Sequence, residues 1–187
     1  MIDERELRKL TEKCGLTVCM EFNPALLVPE EKIRGYCLEN KCGSCGRNYM
    51  CPPDVGTLEE IALKLKNYSC AFLLQYSKAM DVRPENVKEV VRTKKEFHKM
   101  VLKVEAFLHE HGITDTWGLI GGNCGLCKTC GVVTGHPCRH PEKARASLEA
   151  IGIDVMALVQ TLGLPGQFRS DCITWTGAVL YNCRTSA

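Results

Sequence analysis

Long apolar runs are missing from this 187-residue sequence. A transmembrane helix needs roughly 18–20 consecutive apolar residues. The longest uncharged stretch, Val155 to Phe168, is interrupted by Gln160, Pro165 and Gln167. The first residues, Met1-Ile2-Asp3-Glu4-Arg5-Glu6-Leu7-Arg8-Lys9, are charged throughout and lack the apolar core of a secretory signal. A cytoplasmic protein that does not enter a membrane is therefore expected. Charge of one sign is equally scarce: 24 Lys and Arg face 22 Asp and Glu, a net of +2. With aromatics at 6% there is neither the basic field nor the stacking surface of a nucleic-acid binder. Phosphate loops of the P-loop type and Gly-x-Gly-x-x-Gly fingerprints are absent, as are nucleophile elbows and paired metalloprotease histidines. A purely hydrolytic enzyme is unsupported.

Cysteine is what the chain has in excess, 13 residues. A chain of this length buries enough surface to fold without disulfide staples. Thiols stay reduced in the cytoplasm, and an odd count fits poorly with complete internal pairing. The surplus therefore points to metal.

Periodicity gives an α/β outline. A short helix is expected over 3–14 and a strand over Leu16 to Phe22. Residues 23–56, rich in Pro, Gly and Cys, read as irregular. Thr57-Leu58-Glu59-Glu60 is a capping box opening a helix. Ser69 to Tyr76 reads as a buried strand. Pro84 to His111 carries a strong helical repeat, ended by Gly112. A third strand is expected over Thr114 to Gly121, then a second irregular loop to His140. Pro141 suggests a helix start, with helical character through Leu148. Asp154 caps a further helix to Leu162, and Ile173 to Tyr181 is the last strand. The expectation is one metal-binding α/β domain over 1–187. A mixed sheet of about four strands would carry covering helices and two cysteine-rich loops, at 34–56 and 121–141.

Eight cysteines fall into those loops. The first set is Cys37, Cys42, Cys45 and Cys51, followed by Pro52-Pro53. The second is Cys124, Cys127, Cys130 and Cys138, followed by Arg139-His140-Pro141. A [4Fe–4S] cluster is held at its four irons by four thiolates. Cys-x-x-Cys steps let neighbouring side chains converge while the backbone wraps the inorganic core. Gly43, Gly46, Gly125 and Gly131 are expected to allow tight wrapping, with positive φ and free N–H groups for sulfur. Lys41 and Arg47 beside the first set, and Lys128 and Arg139 beside the second, suit an anionic centre. Both last cysteines precede an expected helix N-terminus. Two [4Fe–4S] clusters are expected, with two Zn²⁺ as the alternative. Zinc folds usually present two separated Cys-x-x-Cys pairs, which neither loop has. Exchange of the fourth ligand between loops stays open.

Arg34-Gly35-Tyr36-Cys37 and Cys42-Gly43-Ser44-Cys45-Gly46-Arg47-Asn48-Tyr49-Met50-Cys51-Pro52-Pro53 resemble the N-terminal signature of the DUF2284 family of predicted metal-binding proteins. The Cys124, Cys127, Cys130 run, Pro137 to Arg145, and Glu149 to Val155 resemble its second signature. The resemblance implies metal binding through these cysteines and implies no reaction.

An electron-transfer protein is the leading expectation. An iron–sulfur enzyme with a substrate-accessible cluster, or a zinc-stabilised interaction module, are the rivals. Lys88, Arg92, Lys95, Lys99 and Lys103 form a stripe that could dock an acidic carrier such as a ferredoxin or flavodoxin. Glu85, Glu89 and Glu96 would partly neutralise it, which favours a plain solvated face. Cys14, Cys19, Cys70 and Cys183 read as packing residues, and Cys172 as the one thiol open to redox work. His136 and His140 flank Cys138 and read as loop residues. The carboxylates Glu149 and Asp171 show no partner in the sequence, and no acid–base pair can be assigned.

Overall fold

The computed structural model describes residues 2–167 and 169–182. Helix α1 (Glu4–Cys14) starts where Asp3 accepts hydrogen bonds from the Arg5 and Glu6 N–H groups and stops at left-handed Gly15. Strand β1 (Val18–Phe22) and helix α2 (Glu31–Leu38) follow. Helix α3 (Leu58–Leu65) opens with the expected reciprocal cap: Glu60 N–H donates to Thr57 Oγ1 at 3.2 Å, and Thr57 N–H to Glu60 Oε2 at 2.8 Å. Strand β2 (Cys70–Ala79) leads through a 3₁₀ turn to α4 (Val87–Glu110). Strand β3 (Thr116–Leu119), α5 (Val155–Thr161) and β4 (Cys172–Tyr181) complete the order. Asp154 caps α5 by accepting from Ala157 N–H at 2.9 Å.

The four strands lie in the order β1-β2-β4-β3, with every ladder between them antiparallel. One isolated parallel bridge, Ile120 to Ser147, extends the β3 edge. The expected α/β class with about four strands holds. Alternation along β2 and β4 sends side chains to two faces. Ala71, Leu73, Ala178 and Leu180 pack with α3, α5 and Leu148, Ile151 and Ile153. Phe72, Leu74, Val179 and Tyr181 pack with Leu7 of α1 and the Phe97, Val101, Val104 and Leu108 stripe of α4. Val87 and Val91, at the start of the same repeat, are exposed. No helix among the described residues is long and apolar enough to cross a membrane.

Two local expectations are corrected. Residues 23–56 contain α2, whose N-cap, Glu30, makes no side-chain cap bond and whose only buried residues are Ile33 and Arg34. Its anchor is tertiary: Glu30 N–H donates to the Gly152 carbonyl at 2.8 Å. Conversely, no helix follows Pro141. The backbone of 146–148 instead joins the end of β3, with Ile120 N–H donating to Ala146 O at 2.9 Å and Leu148 N–H to Ile120 O at 3.3 Å. Arg145 Nη1 also donates to the Glu142 and Ala144 carbonyls.

Candidate metal centre

The first cysteine loop begins on a helix. Cys37 lies in the last turn of α2, and its thiol donates to the Glu149 carbonyl at 3.7 Å. The chain then turns through Asn40, Gly43 (φ +71°) and Gly46 (φ +65°). Asn40 Oδ1 accepts from Cys45 N–H at 3.0 Å, Gly43 N–H donates to Asn40 O at 3.0 Å and Gly46 N–H to Pro52 O at 2.8 Å. The positive φ values were expected. The N–H groups of these two glycines, however, are used inside the loop and not offered to sulfur. Cys51 is buried at 7% exposure, while Cys42 is exposed. Burial pushes the Cys51 thiol up to about 12, with further upward pressure from Cys42, Cys37, Cys124 and Cys45. Burial, then Glu149 and Cys42, raise Cys37 as well, against the pull of Arg34. A cation must therefore supply the charge that ionises these thiols, and binding it would release protons.

The second loop leaves the β3 edge with little regular structure. Its only helical segment is a 3₁₀ turn, Gly131–Thr134. Gly131 and Gly125 do not take positive φ. Gly131 is needed for close approach: a Cβ there would stand 2.4 Å from the His136 carbonyl oxygen and 2.6 Å from that of Pro137. His136 N–H donates to Gly131 O at 3.0 Å, and Arg139 Nη1 to Thr129 O at 2.9 Å, closing the loop. Here backbone N–H groups do reach sulfur. Leu126 and Arg145 donate to the Cys124 thiol, offsetting part of the rise that burial causes.

Below this loop lies a buried ion pair. Glu105, 3% exposed at the side chain, accepts from Arg145 Nε at 2.8 Å and from Gly118 N–H at 2.8 Å. His98 Nε2 donates to the Lys143 carbonyl at 2.8 Å, pinning the same segment to α4. Burial holds the His98 pKa below its ordinary value.

The loops dock against each other. Asn48 Nδ2 donates to the Cys124 carbonyl at 2.8 Å, Asn123 Nδ2 to Ser44 Oγ at 2.8 Å, and Tyr49 OH to the His136 carbonyl at 2.9 Å. A cavity of about 320 Å³ opens at the seam, lined by all four cysteines of the second loop together with Cys42. Asn48, Asn123, Arg47, Lys128 and His140 share its wall. Lys94 of α4 lies over the seam and donates to Asn123 Oδ1. Burial lowers its pKa, while Cys124, Cys51 and Cys42 pull it back up. Among the described residues, no three His, Cys, Asp or Glu side chains converge as a single ion would require.

The remaining expectations sort as follows. Lys41 is engaged with Glu39 at the surface. Cys14, Cys19 and Cys172 are free thiols, and Cys172 Sγ donates to the Ile173 carbonyl at 3.6 Å. Cys19 and Cys70 pack against the core under α1 and α4. Cys70, expected as a plain packing thiol, is instead disulfide-bonded, and Cys183 lies outside the described residues. Asp171, for which the sequence shows no partner, pairs with Arg169 at 2.7 Å. His136 is exposed and contributes only its backbone to the contacts above. Two cations escaped the sequence reading. Arg34 sits three residues before Cys37, a spacing that would have flagged it had α2 been recognised. Lys94 falls off the basic stripe, and no local signal marks it.

The DUF2284 family, described as predicted metal-binding protein, matches residues 20–181. This chain belongs to that family. No curated protein and no solved structure matches it.

Proposed function

We propose that the chain is a cytoplasmic iron–sulfur protein that holds two [4Fe–4S] clusters, one on each loop, and relays single electrons between a carrier and a partner redox enzyme. Cys37, Cys42, Cys45 and Cys51 would hold one cluster, and Cys124, Cys127, Cys130 and Cys138 the other. Such clusters supply reversible one-electron chemistry at potentials set by charge, burial and hydrogen bonds to sulfur.

The carrying observation is the docking of the two loops through the Asn48–Cys124 and Asn123–Ser44 bonds, both 2.8 Å. Two four-thiol sets held side by side suit a relay. The donors of the second set suit the group: its four sulfurs and Cys42 are spread around a cavity of about 320 Å³, whereas zinc would gather four of them at about 2.3 Å from one point. Residues of this chain have definite tasks in the reading. Leu126 and Arg145 N–H groups hydrogen-bond the Cys124 sulfur, and Lys94 places a positive charge over the seam.

An acidic carrier, such as a ferredoxin or flavodoxin, would dock beside the second loop. Arg92 is engaged by Glu89 and Glu96, so the partial neutralisation expected of the stripe occurs at its start. Lys95, Lys99 and Lys103 are exposed further along. Lys95 reaches to 3.9 Å from the Cβ position of Gly125. Attraction of that kind acts mainly on encounter rate.

Purification without oxygen followed by iron, sulfide and zinc analysis tests this function. About eight iron and eight sulfide per chain, with EPR signals on reduction, are expected. Colourless protein carrying two zinc ions and no iron would overturn it. The Cys127→Ser variant should lose one cluster and keep the other.

A further inference from the structure

Arg34 presents an electrostatic problem that the protein alone does not solve. It lies on α2 with 7% of its surface exposed. One of its nitrogens, Nη1, donates to the Gly56 carbonyl at 3.0 Å. The other two, Nε and Nη2, are buried with no hydrogen-bond partner. A guanidinium does not deprotonate in a protein, so its charge and two donors are sequestered without compensation. Such groups are costly unless an anion meets them. No carboxylate within ion-pair distance does so among the described residues. The groups that feel its charge are Cys37, Glu31 and Cys45, two of the three being thiols of the first loop. As neutral thiols these give the guanidinium nothing to balance. As thiolates around a metal core they give it an anion.

We propose that Arg34 is the buried counter-ion of the centre on the first loop, donating Nε–H and Nη2–H to its sulfur. The inference rests on the reading of Cys37, Cys42, Cys45 and Cys51 as cluster ligands. A four-thiolate [4Fe–4S]²⁺ centre is anionic, and each added electron makes it more so. A fixed positive charge beside it stabilises the reduced form and raises its potential. The second loop's own cations, Lys128 and Arg139, are exposed, and Arg139 is turned to the Thr129 carbonyl; Lys94 over the seam is shared, acting on Cys124 and on Cys51 and Cys42 of the first loop. Arg34 therefore sets the two centres at different potentials, with the first lifted towards the electron-accepting side. It acts directly on the centre, by charge and by hydrogen bonds to sulfur, and takes no part in bond making or breaking.

The test is redox titration of the full-length, anaerobically purified protein by EPR. Arg34→Gln and Arg34→Lys are compared with wild type, and the Cys127→Ser background is used to assign the first centre. Arg34→Gln should move one midpoint to more negative potential and leave the other in place. Arg34→Lys, which keeps the charge but not the fork, should fall between. Loss of about four of the eight irons in Arg34→Gln, with retention in Arg34→Lys, equally supports a charge requirement. Unchanged midpoints in Arg34→Gln at full iron content would overturn the proposal. So would equal iron loss in both variants, which would make Arg34 only an anchor for Gly56. Wild-type protein holding zinc and no iron would instead overturn the cluster reading beneath it.

Discussion

The two cysteine loops carry the same number of thiols and are built by opposite means. The first is stiffened from within. A helix presents Cys37, left-handed Gly43 and Gly46 turn the chain, and the loop's own backbone bonds use up the glycine N–H groups. Its cation, Arg34, is buried. The second loop is held from beneath, by the Glu105–Arg145 pair and by the His98 contact to the Lys143 carbonyl. Its own cations, Lys128 and Arg139, are exposed, and the Leu126 and Arg145 N–H groups turn to Cys124 sulfur. Equal ligand counts therefore do not imply equal centres. If each set holds a cluster as proposed, the buried charge of Arg34 would raise the potential at the first site, and the N–H groups at Cys124 would tune the second.

Glycine substitutions should break this symmetry most sharply. Gly131→Ala forces a Cβ to 2.4 Å from a backbone oxygen that cannot swing aside. Iron content should fall from about eight to about four per chain. Gly43→Ala meets open space and only backbone strain at φ +71°, so it should cost roughly 1–2 kcal/mol and keep both centres. Parallel metal analyses check the pair, and equal losses would remove the distinction between the loops.

Glu105→Ala should come next. It strands a buried arginine and the Gly118 N–H, and breaking such a pair costs about 3–5 kcal/mol. Denaturant unfolding should show that loss, and metal release from the second loop should accelerate while the first holds its metal. Asn48→Ala, which cuts the bond between the loops, should cost about 1–3 kcal/mol for the polar groups left unpaired. A double-mutant cycle with Asn123→Ala measures the coupling across the seam, and zero coupling would mean that the loops fold independently.

The smallest effect is in pH. Because burial keeps His98 below its ordinary value of 6.5, the unfolded chain takes up a proton near that pH which the folded chain refuses. The stabilisation is present above 6.5 and is lost as the pH falls below it. His111 is raised by the Phe107 carbonyl and Glu6 and works in the opposite sense on the α1 side. The informative quantity is thus the difference between wild type and His98→Gln. Unfolding midpoints at pH 7.5 and 5.5 should show a smaller acid loss in the variant.

Much of this was legible in the chain. The cap at Thr57, the cap at Asp154, the apolar stripe of α4 and the four strands announce themselves through local patterns. Helix α2 did not, because its start has no capping side chain and its hold on Gly152 is tertiary. The helix expected after Pro141 failed for the converse reason. A good local signal lost to hydrogen bonds at the β3 edge, contributed by residues far away in sequence.

The sequence by itself determined the inventory of candidate ligands: eight of thirteen cysteines in two spaced sets, on a chain that the DUF2284 family matches over 20–181. Ligand spacing is a property of a few neighbouring residues, so it survives in one dimension. Only the tertiary structure decided that the sets face each other, since Asn48 and Cys124 meet across 76 positions. It alone buried Arg34 beside one set, laid Lys94 over the seam and left Lys128 and Arg139 of the other in water. Charge burial depends on what the rest of the chain folds over a residue, and no local pattern encodes that.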